Sequence, residues 1–170
     1  MSNMREIRIE KLTLNFGAGK DQSRLDKGIK LIKTLAGRQP VKTLSKERIA
    51  AWGLRKNLPI GCKLTIRGAE AGVLLKRLLR AKENKLKSRM FDDQGNFSFG
   101  IHEYIDLPDI KYDADIGILG FEAAITLTRP GFRIKNRKYQ KKKIPSRHRI
   151  SKEDAMEFIK TNFDVTIVEA

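Results

Sequence analysis

The chain has 170 residues, 40% hydrophobic and 33% charged, enough to bury a core of its own as one domain over 1–170. Its 36 lysines and arginines against 20 acids give a formal charge of +16, a self-repulsion that points to a polyanionic partner, nucleic acid first and an anionic membrane surface second. A single cysteine, Cys62, excludes an internal disulfide and any multi-cysteine zinc site and fits a reducing cytoplasm, and no stretch has the roughly 20 apolar residues of a spanning helix or the apolar segment of a signal peptide.

Ile7 and Ile9, then Leu12, Leu14 and Phe16, alternate in two registers with a slip near Lys11. They predict an N-terminal strand with a bulge or bend, ended by Gly17-Ala18-Gly19. From Gln22, Leu25, Ile29, Ile32 and Leu35/Ala36 recur at helical spacing, and Gly37 caps the helix. An extended piece at Pro40 to Thr43 and one helical turn at Ser45 to Ile49 follow. Residues 50–61, AAWGLRKNLPIG, read as a long loop with Arg55 and Lys56 near its tip.

Cys62, Leu64 and Ile66 alternate with Lys63, Thr65 and Arg67 in a half-buried strand. Gly68 breaks it, and Ala71, Leu74, Leu75, Leu78 and Leu79 mark a second helix. Phe97, Phe99 and Ile101 against Ser98, Gly100 and His102 give another strand. After the loop DLPDIKYDADIG, Phe121, Ala123, Ile125 and Leu127 oppose Glu122, Ala124, Thr126 and Thr128. Ser151-Lys152-Glu153-Asp154 opens a last helix faced by Ala155, Phe158, Ile159 and Phe163, with a short strand from Val165 to Val168.

These elements make an α+β fold: a mostly antiparallel sheet with helices packed on one face and a polar face open for RNA. The outward rows carry Thr13, Asn15, Lys63, Thr65, Arg67, Ser98, His102, Thr126 and Thr128, short polar and basic groups able to reach sugars and phosphates. On pattern alone the same rows suit an ordinary solvated sheet.

The run FRIKNRKYQKKKIPSRHRIS, Phe132 to Ser151, holds nine cations and no acid: Arg133, Lys135, Arg137, Lys138, Lys141, Lys142, Lys143, Arg147 and Arg149. Removing them from the +16 leaves +7, so the remainder is basic too. A solvating tail would end the chain, whereas this run precedes a capped helix, and it is too poor in bulky apolar residues for a membrane helix. A loop laid on a phosphate backbone fits better.

Other motifs carry less. NFGAGKDQS lacks the first glycine and the Ser or Thr of a phosphate loop, and Gln22 stands where a dinucleotide fingerprint needs its third glycine. His102, His148 and Cys62 form no nucleophile–base pattern. Asp113-Ala114-Asp115 offers hard-cation ligands but reads as a solvated loop, and Asp92 to Asn96 reads as a turn. Neither an enzyme, a metal, a cofactor nor a small-molecule substrate is indicated. Trp52 has two readings, a core tryptophan or an aromatic that stacks on an unpaired base beside Arg55 and Lys56.

The blocks LTLNFGAG (12–19), LAGRQPVKT (35–43), GLRKNLPIGCKLTIRG (53–68), DDQGNFSFGI (92–101) and DIGILGFEAAI (115–125) together resemble the L-five family of large-ribosomal-subunit proteins, which bind 5S ribosomal RNA. The early first strand and the basic segment before the last helix look like its archaeal and eukaryotic branch. The resemblance implies a structural role in the cytoplasmic ribosome. The implied partners are 5S rRNA and large-subunit rRNA in the central protuberance, peptidyl-site tRNA through a loop, and neighbouring proteins of the protuberance and the small-subunit head, with no membrane. Carried over by position, the 5S contact falls on Asn15, Trp52 and Thr65, flanked by Lys63 and Arg67. Arg38 stands where bacterial relatives carry a glutamine. The tRNA-facing loop is Gly53, Leu54, Arg55, Lys56, Asn57, Leu58 and Pro59.

Three other readings stay open. A general basic RNA binder would bind 5S and scrambled RNA equally, and a nucleic-acid-processing enzyme would show turnover in nuclease or methyltransferase assays. A peripheral membrane protein would bind anionic liposomes at physiological salt.

Overall fold

The computed structural model describes residues 3–108 and 110–168. In chain order these form β1 (Arg8–Gly17), α1 (Gln22–Ala36), β2 (Val41–Leu44), β3 (Pro59–Ile66), α2 (Ala69–Arg80), β4 (Lys85–Lys87), β5 (Phe97–Ile101), β6 (Phe121–Thr128), α3 (Lys152–Phe163) and β7 (Thr166–Val168). The main sheet has the order β2-β3-β1-β6-β5 and is mostly antiparallel, with Val41 opposite Lys63 and Thr43 opposite Gly61 in β2–β3. With three helices this is the expected α+β class. Contacts divide the chain into two compact units, each built from segments far apart in sequence. The first holds Thr13–Ile66 and Phe99–Ala124, and the second holds the described residues of Met1–Leu12, Arg67–Ser98 and Ile125–Ala170.

In the first unit α1 starts where Asp21 accepts hydrogen bonds from the Arg24 amide and from the Ser23 hydroxyl and amide, and those bonds hold its carboxyl below the usual range. It stops at Gly37, left-handed at φ 64°, whose N–H donates to the Lys33 carbonyl. The buried face is Leu25, Gly28, Leu31, Ile32 and Leu35, and the helix packs on β3. Ile29, expected on that face, is half-buried. The face turns toward Gly28 because the Phe16 ring occupies the space that a Cβ there would fill.

The expected helical turn at Ser45 to Ile49 does not form. The Ser45 amide donates to the Leu58 carbonyl at 2.8 Å, and the Asn57 amide donates to the Ser45 carbonyl at 2.9 Å. The β2–β3 hairpin thereby consumes the backbone groups that a helical turn would need. A 3₁₀ turn comes later, at Ala50–Trp52, and β3 begins at Pro59 rather than at Cys62. Cys62 itself is fully buried, and burial pushes its thiol up to about 11, far from a reactive thiolate at neutral pH. Tyr104 is also fully buried, with its hydroxyl accepting from the Asp113 amide at 2.8 Å. Asp113 and Asp115 share the Lys30 ammonium, each at 2.9 Å.

In the second unit α2 buries Ala71, Leu74, Leu75, Leu78 and Leu79, the face its spacing predicts. β4 lacks a periodic signal of its own; its three residues pair in parallel with β7, Leu86 opposite Ile167. The rings of Phe91 and Phe97 stack at 5.0 Å beside a turn in which the Asp92 carboxylate accepts from the Gln94 and Asn96 amides. The predicted capping box opens α3: Asp154 N–H donates to Ser151 Oγ at 3.1 Å, and Asp154 Oδ2 accepts from Ser151 N–H at 3.2 Å. Ala155 and Ile159 are buried under it, while Phe158 and Phe163 are half-buried and meet edge to face at 6.4 Å.

Candidate nucleic-acid interface

Alternation along β1 and β3 decides which side chains of the first unit meet solvent. Leu14, Phe16, Cys62, Leu64 and Ile66 point inward and are buried, so Asn15, Lys63 and Thr65 point outward and are exposed. Asn15 has a partner from the neighbouring strand: its Nδ2 donates to Glu122 Oε2 at 3.3 Å. That bond turns the amide oxygen away from the carboxylate and leaves it as a free acceptor direction. Arg38 follows the C-cap of α1 and is exposed.

Trp52 ends the 3₁₀ turn and is 68% exposed, so the core reading of this residue does not hold. The chain then reverses at Gly53, where φ is 65° and a Cβ would lie 3.6 Å from Lys20 Cδ. Leu54 is the one buried residue of the loop, pairing its backbone with Ile49 in both directions. Arg55, Lys56 and Asn57 are exposed, Asn57 in the left-handed region at φ 63°, and Leu58 and Pro59 are half-buried at the return. The loop is therefore a pinned hairpin end that presents two cations and an indole.

Its base rests on the NFGAGKDQS turn, a support that no motif reading disclosed. The Ala18 and Gly19 amides both donate to the Ile60 carbonyl, at 2.9 and 3.0 Å, and Gln22 Nε2 donates to the Pro59 carbonyl at 2.9 Å. The glycines that suggested a phosphate loop let the backbone close on β3 instead. Asp113-Ala114-Asp115 is likewise occupied by Lys30, and no group of three metal-ligating side chains is found among the described residues.

The second unit holds Arg67 and the basic run. Arg67 is exposed and lies 3.6 Å from Glu10. The run is a folded loop with 3₁₀ turns at Phe132–Lys135 and Ser146–His148. Ile144 and Ile150 are buried, Phe132 meets the His148 ring edge-on at 5.7 Å, and that ring bonds the Pro130 carbonyl at 2.9 Å. Arg129 clamps it from the end of β6, donating to the Arg149 carbonyl and to Asp154 Oδ2, both at 2.9 Å. Two of the nine cations serve the loop: Arg137 donates twice to the Gln140 carbonyl, and Arg149 Nε donates to the Ile144 carbonyl. Arg133, Lys138, Lys141, Lys142, Lys143 and Arg147 are exposed and Lys135 is half-buried. Among the described residues, none of the nine pairs with an acid. An unpaired cationic loop held by apolar anchors is suited to a phosphate backbone.

Comparison with known proteins gives the family to which these elements belong. Residues 2–55 match the family model of ribosomal protein L5, and residues 59–165 match the model of the C-terminus of that same ribosomal family. The chain belongs to the ribosomal L5 family. Proteins named large ribosomal subunit protein uL5 are similar over nearly the full length. That of Sulfurisphaera tokodaii is 49% identical, covering 98% of this chain and 94% of its own. Those of Methanosphaera stadtmanae and Nanoarchaeum equitans are 45% and 46% identical, covering 98% and 97% of this chain and 99% and 98% of theirs. The family expected from the five sequence blocks is thus the family found, and its archaeal relatives agree with the expected branch. As an L5-family member the chain is a ribosomal protein rather than an enzyme, and its partners are ribosomal RNA and other ribosomal proteins. No helix of the described residues is long and apolar enough to cross a membrane.

Proposed function

We propose that this L5-family protein is a structural component of the large ribosomal subunit that holds 5S rRNA and large-subunit rRNA in the central protuberance. In this reading Asn15, Thr65 and Lys63 meet the 5S backbone and sugars, with Arg38 and Arg67 as flanking cations. Trp52 stacks on a base, and the pinned loop Gly53 to Pro59 carries Arg55 and Lys56 toward peptidyl-site tRNA. The basic loop from Arg133 to Arg149 lies on rRNA backbone, and neighbouring proteins of the protuberance and small-subunit head complete the surroundings.

The observation that carries the reading is the joint exposure of Trp52, Asn15, Thr65 and Lys63 in a chain whose excess charge is positive. An indole 68% exposed has most of its surface outside the core, whereas a base stacked on it contributes about 1–3 kcal/mol. As the chain's sole tryptophan it is also its own reporter. Titration with 5S rRNA at physiological salt should quench and shift Trp52 emission at a one-to-one end point. A length-matched scrambled RNA should not. Unchanged emission while a mobility shift shows complex formation would remove Trp52 from the interface.

A further inference from the structure

The basic loop is more than a charged ribbon. With the turn after Asp92 it encloses a half-open cavity of about 580 Å³, floored by buried Ile144 and Ile150 and by Leu127 of β6. That volume lies within the usual range for a small-molecule site and exceeds what a phosphate alone needs. Its two sides differ in chemistry. The turn supplies Asp93 and Gln94, an acceptor and an amide; among the described residues neither side chain is hydrogen-bonded elsewhere. The loop supplies Phe132, Lys135, Lys143 and Arg149. Arg149 spends Nε on the Ile144 carbonyl, which fixes the guanidinium and leaves its terminal nitrogens for a ligand.

We propose that this cavity receives one unpaired nucleotide of ribosomal RNA, splayed from its stack. The proposal rests on the rRNA-binding reading above and gives its basic loop a specific site. The phosphate lies with Lys143 and Arg149. The base lies on Phe132, displacing the Lys135 ammonium, now 5.0 Å from the ring centroid, toward that phosphate. Asp93 then faces the base edge. A carboxylate accepts from the amino and imino hydrogens of guanine or the amino group of cytosine, whereas uracil presents carbonyls on both sides of its single N–H and is repelled. A bare anion patch has no use for the carboxylate, the amide or the Phe132 ring; a nucleotide uses all three.

The test is a titration of the full-length chain with GMP, CMP, UMP and inorganic phosphate at physiological salt, followed through backbone amide shifts. GMP and CMP should give saturable shifts at Asp93, Gln94, Phe132 and Lys143, with UMP weaker. Lys143→Ala should weaken all three about tenfold, the size of one charged hydrogen bond. Asp93→Asn should abolish the preference over UMP without abolishing binding. Both side chains are exposed, so neither variant disturbs the core. Equal shifts and affinity with inorganic phosphate would overturn the nucleotide site and leave an anion patch. Unsaturable shifts spread over the basic surface would overturn the site altogether. Failure of rRNA binding by the whole chain, with these saturable shifts intact, would strike the broader reading and not the cavity.

Discussion

Gly28 stands on the buried face of α1 with the Phe16 ring in the space a Cβ would need. Phe16 belongs to β1, so one missing side chain sets how closely α1 approaches that strand. Gly28→Ala should destabilise the protein by about 1–3 kcal/mol through overpacking, read as a lower denaturation midpoint with an unchanged slope. Hydrophobic spacing pointed to Ile29 instead, because a glycine has no hydropathy to register even where packing depends on its absence. Lys30, two positions on, links α1 to the loop after Tyr104 through Asp113 and Asp115. The Lys30 hydrogen bond holds the Asp113 carboxyl below its ordinary 3.8, and the two carboxylates raise Lys30 above its ordinary 10.5. A lowered carboxyl contributes stability above its ordinary value and loses it as pH falls through the lowered one. A raised ammonium contributes below 10.5 and loses its share as pH rises through the raised value. Lys30→Met should therefore melt slightly lower than wild type at neutral pH, with the gap closing at pH below 3.8. The pair is exposed, so the difference is small.

At the scale of elements, legibility followed the length of the periodic signal. α2 repeats its leucines over three turns and shows the expected buried face residue for residue, and the Ser151 capping box opens α3 where its spacing placed it. β4 has three residues and a partner, β7, some eighty positions away in the chain, so nothing local marks it. Ser45 to Ile49 read as a helical turn because the hairpin bonds that hold Ser45 come from Asn57 and Leu58, beyond any short window. The basic run was legible as a tied loop, but its ties were not: Arg129, outside it, and Ile144 and Ile150, among the cations, do the holding. Since those ties are separate from the exposed lysines, converting Lys141, Lys142 and Lys143 to glutamine should leave the melting temperature nearly unchanged. The same variant should reduce the slope of log affinity for rRNA against log salt by about 2–3. An unchanged slope would place these lysines off the RNA.

For the whole molecule, a charge of +16 on 170 residues makes sense only beside a polyanion, and membership in the L5 family supplies ribosomal RNA as that polyanion. Charge alone would make a general RNA binder; specificity needs fixed polar groups. The candidates were legible because strand alternation exposes Asn15 and Thr65 whatever the partner. The Asn15–Glu122 bond that orients the amide was not, since it joins strands 107 positions apart. The central claim is that these outward groups read 5S rRNA while the cations supply affinity. It is tested most directly by binding 5S rRNA and a length-matched scrambled RNA across a salt series, with wild type and an Asn15→Ala/Thr65→Ala double variant. The account predicts that wild type prefers 5S rRNA at physiological salt and that the double variant loses the preference while keeping the salt slope. Equal binding of both RNAs by wild type, with the double variant unchanged, would contradict it.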